Sequence, residues 1–278
     1  MNEEKKEQLK HNQYADSGNF NARIHLHQKY GTNPYPWPFW VFDQLSPCGG
    51  AHVLELGCGN GMLWLANEKR IPEDWTLTLS DLSPGMMQDA ERGLARLGDR
   101  VSFRVIDAEE IPFPDATFDK VIANHMLYHV PDREKALSEI SRVLKPDGVF
   151  YASTVGSRNM RELKELMRAF DPHSGYELVT SSLTASFSLE NGKEQLLNFF
   201  EDVRLVPYED ALSVTDSNAL VQYALSLNSL YPDRQVLPPE SAERFLDFLN
   251  EQMHQQGGRL HISKTSGMFL CRKGVEEK

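Results

Sequence analysis

The sequence predicts an α/β fold, a doubly wound, seven-stranded and mostly parallel sheet with helices on both faces. From Ala51 onward, short β-rich runs alternate with helix-like segments, the order that sets parallel strands side by side with crossover helices between them. Five such repeats are followed by two late strand-like runs, which completes seven strands. A chain of 278 residues, 40% apolar and 25% charged, has the profile of one large or two ordinary globular domains and is long enough to bury a core without a metal or disulfide staple.

The first strand is AHVLELG (51–57), followed by an amphipathic stretch, Met62–Arg70, and a second strand, TLTLSD (76–81). SPGMMQDAERGLARL (83–97) reads as a helix: Ser83 suits the N-cap, Pro84 the first turn, and Met87, Ala90, Leu94 and Leu97 recur at spacings of three and four. VSFRVID (101–107) and FDKVIAN (118–124) are strands three and four. The next helix, 131–144, carries Ala136, Leu137, Ile140, Val143 and Leu144 on one face and is broken by LKPDG (144–148). A fifth strand follows over 148–155. Residues 159–170 and 193–200 are helical, and 203–214 and 261–273 are the two late strands.

This assigns residues 46–215 to the α/β core and 258–278 to its final strand. Residues 1–45, rich in aromatics and prolines, form an amino-terminal flap or strap, and 216–257 form a helical cap insertion whose two stretches are separated by YPDRQVLPPE. Both segments are expected over the mouth of the sheet.

The formal charge of −11, from 40 acidic residues against 29 Lys plus Arg, opposes phosphate-dominated contact with nucleic acid. The charged segment MNEEKKEQLK and the lack of an apolar run of about 18 residues disfavour secretion and membrane insertion. The three cysteines, Cys48, Cys58 and Cys271, are widely spaced without a CxxC pair; they support neither a disulfide framework nor a cysteine metal site and suit a cytoplasmic home.

The strongest signal is VLELGCGNG (53–61), an apolar strand running into Gly57, Gly59 and Gly61 just before a helix. Such a turn needs positive φ or close backbone approach to a ligand, and the helix beyond it offers free N–H groups. Asp81 ends the second strand, where a carboxylate can accept from both hydroxyls of a ribose, and Asp107 ends the third, placed to meet a base. Capping by SDLS and IDAEE accounts for either aspartate taken singly. Together with the glycine turn, the pair points to a nucleoside. A dinucleotide fingerprint is disfavoured because glycine comes one place early and Met62 stands where close helix packing wants a small residue. Glu55 beside the turn would repel a pyrophosphate but suits a ligand with a cationic amino-acid end.

With these motifs the sequence resembles the class I S-adenosylmethionine (SAM)-dependent methyltransferases, specifically the type-11 group that includes the ubiquinone/menaquinone C-methyltransferases. VLELGCGNG is similar to the family's first motif, LTLSDLSPGMM (77–87) to its ribose-binding segment, VIDAEEIPFPDATFDKVIANHMLYHV (105–130) to its adenine-binding segment and fourth strand, and RVLKPDGVF (142–150) to its lead into strand five. The resemblance covers residues 51–156. It implies a Rossmann-like methyltransferase fold, SAM as cofactor and S-adenosyl-L-homocysteine (SAH) as product. It implies also that Glu55, Gly57, Gly59 and Gly61 cradle the methionine part, and that Asp81 holds the ribose with Leu82 and Met86 beside the adenine. Asp107 accepts from the adenine amino group while the Ala108 backbone meets the ring, and Asn124 with His125 closes the site.

Methyl transfer from a sulfonium needs alignment and exclusion of water more than a particular catalytic side chain. His129 is the one base candidate, with Tyr128 and His125 nearby; a structural or pocket-lining histidine is the plainer reading. Tyr30, Tyr35, Trp37 and Trp40 suit either a flap whose rings attract the sulfonium or a hydrophobic strap. His25 and His27 lack a third-ligand cluster and read as surface or structural, so no metal site is expected. The acceptor expected is a small, partly hydrophobic molecule. A non-catalytic SAM sensor and an NAD-dependent oxidoreductase are the competing functions.

Overall fold

The computed structural model describes residues 18–47, 49–230 and 235–274, so Cys48, the charged amino terminus, the first part of the flap and much of YPDRQVLPPE lie outside the described residues. The central sheet has seven strands: β1 (Ala51–Leu56), β2 (Trp75–Asp81), β3 (Val101–Val105), β4 (Phe118–Asn124), β5 (Leu144–Val155), β6 (Asp202–Tyr208) and β9 (Ser266–Arg272). Their spatial order is β3-β2-β1-β4-β5-β9-β6. The β1–β2, β1–β4, β2–β3 and β4–β5 pairs are parallel, and β9 runs antiparallel to both neighbours. The order reverses direction on either side of β1, and this switch point opens a crevice beyond the carboxyl ends of β1, β2 and β4.

The helices follow from capping and periodicity. α4 (Pro84–Leu94) starts as its sequence dictates, with Ser83 Oγ accepting from Met86 N at 3.3 Å and Pro84 in the first turn. It buries Met87, Ala90 and Leu94, ends earlier than the expected residue 97 and passes into a 3₁₀ stretch that turns at Gly98. α5 (Arg133–Val143) is capped by Asp132, whose side chain accepts from Lys135 N. Its Ala136, Leu137, Ile140 and Val143 pack with Val121, Phe150 and Phe269 on one face of the sheet. On the other face α2 (Trp37–Gln44) and α3 (Met62–Asn67) build a second cluster around Phe42, Trp64 and Trp75, all fully buried.

Three departures from the expected elements shape the site. LKPDG, read as a break, belongs to β5, but the register jumps from Phe118↔Leu144 to Lys120↔Val149, so Pro146 sits in a bulge where no ladder donor is required. Each late strand is divided in two. Residues 209–210 separate β6 from β7 (Ala211–Val214), residues 264–265 separate β8 (Leu260–Ser263) from β9, and β7 pairs with β8 as a second, two-stranded sheet. Lastly, α1 (Gly18–Tyr30), α6 (Arg161–Phe170), α7 (Tyr176–Ser186), α9 (Ser217–Ser226) and α10 (Ala242–Gln255) surround this small sheet. Leu26, Leu163, Tyr176, Leu212, Leu220, Phe245 and Ile262 give them a core of their own, which roofs the crevice.

Candidate functional site

The crevice is a cavity of about 1060 Å³ whose floor is made by strand ends and whose roof comes from α1, α2, α6 and α7. Its floor begins at the glycine turn. Gly57, Gly59 and Gly61 have φ of 70°, 57° and 76°, the left-handed region that penalises any side chain. Space adds a second demand at the outer two: a Cβ on Gly57 would meet Met126 Cβ at 2.9 Å, and one on Gly61 would meet Leu94 Cδ1 at 2.8 Å. The turn is tied to β2 by Cys58 N donating to Ser80 O at 2.9 Å.

Asp81 is both a cap and a lining residue. Its Oδ2 accepts from Gly59 N at 3.1 Å and its Oδ1 from Ser83 N at 2.9 Å, while the carboxylate faces the cavity. Burial raises its pKa, with the amides of Ser83, Gly59 and Leu82 opposing. Asp107 likewise caps its own turn, accepting from Glu109 N at 3.0 Å, and lines the cavity with Leu82 and the buried Ala108.

Glu55 lies deeper. It is 1% exposed, and its Oε2 accepts from Trp64 Nε1 at 2.5 Å. Burial, reinforced by the nearby charge of Asp81 and opposed by Trp64, pushes its carboxyl up to about 8, so it holds a proton at neutral pH.

At the end of β4, Asn124 Oδ1 accepts from the Ser153 hydroxyl at 2.6 Å, and His125 N donates to Ser153 Oγ at 3.0 Å. His125 adopts φ of 55°, a strained backbone held by these contacts. Trp37 packs on its ring at 5.0 Å, and Trp40 and Tyr208 each lie 5.0 Å from Trp37. His129 lines the cavity beside Tyr128, ring centroids 4.6 Å apart.

Of the twelve residues expected at the site, ten line this one cavity: Glu55, Gly57, Gly59, Asp81, Leu82, Asp107, Ala108, Asn124, His125 and His129. Gly61 and Met86 do not. Gly61 is packed against α4, and Met86 is fully buried as part of that helix's inner face. The sequence reading also missed His27. It is half-buried in the cavity wall, its Nδ1 has no partner among the described residues, and burial followed by the charge of Lys264 depresses its pKa to about 3. Its only sequence signal was the HxH spacing, which gives no direction. Among the described residues no group of three His, Cys, Asp or Glu could hold a metal ion, and no helix is long and apolar enough to cross a membrane.

The donor set suits a cationic, hydroxyl-bearing nucleoside. Three carboxyl groups, Glu55, Asp81 and Asp107, stand at successive strand ends, and the glycine turn carries no Lys or Arg for a pyrophosphate.

Comparison with known proteins agrees with this geometry. A methyltransferase-domain family matches residues 54–152. The chain is 28% identical over 185 residues to the ubiquinone/menaquinone biosynthesis C-methyltransferase UbiE of Salmonella arizonae, spanning 66% of this chain and 71% of that protein. It is 36% identical over 103 residues to the demethylmenaquinone methyltransferase of Symbiobacterium thermophilum, spanning 36% of this chain and 41% of the relative. Among solved structures, the phosphoethanolamine N-methyltransferase 2 of Haemonchus contortus in complex with SAM superimposes with a TM-score of 0.60 at 20% identity, covering 98% of this chain and 60% of that one. The YcgJ protein of Bacillus subtilis gives 0.58 at 18%, covering 86% and 98%. At these identities the two structures speak for the fold.

Proposed function

We propose that residues 54–152, which match a methyltransferase-domain family, form a class I SAM-dependent methyltransferase domain of the type-11 group and that the protein methylates a small, partly hydrophobic molecule held under the roof of the cavity. The cofactor is SAM. When bound, it supplies a methyl group already activated on a sulfonium, so the protein's task is alignment and exclusion of water.

The residues divide that task. Asp81 holds the ribose hydroxyls. Asp107 and the Ala108 backbone read the adenine, with Leu82 on its face. Glu55, the turn at Gly57–Gly59, and Asn124 with His125 hold the methionyl end. Trp37, seated on His125, closes the floor against the roof and excludes water where floor and acceptor side meet. With SAM bound, an acceptor under the roof would stand on the side from which displacement at the methyl carbon is possible. Well-oriented reactants account for about 7–11 kcal/mol of barrier lowering, so no residue need act as base for an acceptor that arrives without its proton.

By this reading the strands and helices of residues 46–215 other than α6 and α7 form, with the terminal strand, the cofactor-binding core, while the flap, α6, α7 and the 216–257 cap shape the acceptor side. The carrying observation is that carboxyl groups at successive strand ends and aromatic roof residues line one cavity. The quinone-type acceptors named for the relatives fit an aromatic roof.

Calorimetry with SAM, SAH and NAD tests the cofactor half: one molecule of SAM or SAH per chain is expected, and preference for NAD would remove the reading. Transfer of radiolabelled methyl from SAM into small molecules of a cell extract tests the catalytic half. Tight SAM binding with no labelled product would favour a sensor.

A further inference from the structure

The cavity is electrically two-sided. Its floor carries the carboxyls of Asp81 and Asp107 beside Glu55, which is protonated in the unliganded protein, whereas the roof side among the described residues presents six cations, including Arg23, Lys264 and the run from Arg158 to Arg168, where Arg158, Arg161 and Arg168 are exposed, against three carboxylates, Glu165, Glu177 and Asp210. This stands against a chain of net charge −11. Glu177 is matched by Lys164 at 2.8 Å, and Arg161 is shared between Glu162 at 2.9 Å and Glu165 at 3.7 Å.

Asp210 is spent on structure. Its Oδ1 accepts from the backbone amides of Thr32, Asn33 and Ala211, each at 2.9 Å, while Oδ2 pairs with Lys264. Three amide dipoles converge on this carboxylate and offset its charge, so the buried Lys264 ammonium still projects positive potential into the cavity. Two histidines, His27 and His125, face it. Burial lowers both pKa values, to about 3 for His27 and about 4 for His125, and Lys264 lowers them further; at His27 its effect exceeds the opposite effect of Asp210, and Arg23 adds to it. Tyr208 and Tyr223, the other titratable groups packed there, are held neutral by burial. Neither histidine is basic enough to act as a base at neutral pH.

The roof also offers hydrogen bonds with no taker. Trp37 Nε1 and His27 Nδ1 are buried, line this cavity and have no partner among the described residues. An indole N–H can only donate, and a buried unpaired donor costs about 1–3 kcal/mol unless a ligand oxygen meets it.

Resting on the methyl-transfer reading above, we infer that the roof side binds the acceptor as an oxyanion, an ionised phenolic or enolic hydroxyl, beside Lys264 and Arg23 and hydrogen-bonded by Trp37 Nε1–H and His27. Such an acceptor has left its proton in solvent. Its oxygen lone pair attacks the methyl carbon, an O–CH₃ bond forms, the S–CH₃ bond breaks with its electron pair remaining on sulfur, and one negative and one positive charge cancel. That pairing explains a basic roof over an acidic floor.

The test uses the full chain saturated with SAH and two probes, 4-nitrophenol and its uncharged analogue 4-nitroaniline, followed by absorbance. The bound nitrophenol should keep its phenolate band to at least one pH unit below the free probe, an at least tenfold preference for the anion, and nitroaniline should bind at least tenfold more weakly than the phenolate. Arg23→Gln, and the paired change Lys264→Met with Asp210→Asn that leaves no buried charge alone, should each reduce the shift while circular dichroism stays native. A probe that titrates as in free solution, equal binding of nitroaniline, absence of probe binding, or a shift untouched by both variants overturns the inference. SAH calorimetry on the same sample separates the two readings, since failure to bind SAH sinks methyl transfer itself, and normal SAH binding with those probe results sinks only the oxyanion site.

Discussion

Glu55→Gln should change how the unliganded protein's stability depends on pH. The Glu55 carboxyl, buried against Trp64 and near Asp81, titrates at about 8 instead of its ordinary 4.5. A group whose folded pKa is raised contributes stability that is complete below its unfolded pKa and is lost as pH rises through the folded value. Each pH unit within that window is about 1.4 kcal/mol, so wild type should lose about 2–3 kcal/mol relative to Glu55→Gln between pH 6 and pH 8. His27 and His125 work in the opposite sense and lower window: their depressed pKa values give stability present above about 6.5 and lost as pH falls toward 4 and 3. They are common to both proteins and cancel in the difference. Urea unfolding of wild type and variant at pH 6, 7 and 8, without SAM, gives that difference directly. Parallel curves would refute a buried, protonated Glu55.

The same carboxyl makes SAH affinity pH-dependent: it should rise several-fold per unit from pH 6 to 7.5 in wild type, as Glu55 gives up its proton beside the ligand ammonium, and stay flat in Glu55→Gln by calorimetry. Asp81→Asn keeps the side-chain shape but removes the charge that, on the proposed reading, holds the ribose hydroxyls, so SAH should bind about 10–100-fold more weakly with a thermal midpoint near that of wild type. Gly61→Ala puts a methyl group at φ of 76° and 2.8 Å from Leu94 Cδ1; a loss of about 1–3 kcal/mol in urea unfolding is expected, and an unchanged midpoint would contradict the turn geometry. His129→Ala should lower kcat less than tenfold on an identified acceptor, because the account needs no base there; a 10²–10⁴-fold loss would restore His129 as one.

The sheet was legible because its parallel strands are buried on both faces and read as apolar runs: Val53, Leu54 and Leu56 in β1, and Val121, Ile122 and Ala123 in β4 are all inside. Strand ends were legible for the same reason, and with them most of the cavity floor. The roof was not. α1 carries only a weak apolar stripe, and what folds it over the cavity is distant in sequence: Leu26 packs with α9 and β7, and Asp210 grips residues 32 and 33. His27 therefore read as surface or structural. Met86 misled in the other direction, since a residue next to a ribose-binding segment can point into the helix's own packing, as its complete burial shows. The division of the late strands at Asp210 and Lys264 could not be read either, because both runs are strand-like throughout and only their mutual ion pair marks the break.

A crystal structure with SAH bound tests the central claim most directly. The account predicts the ribose hydroxyls on Asp81, the adenine between Leu82 and the Asp107–Ala108 turn, and the sulfur turned toward Trp37 and His125. Density for SAH elsewhere, or an adenosyl group whose hydroxyls avoid Asp81, would contradict it.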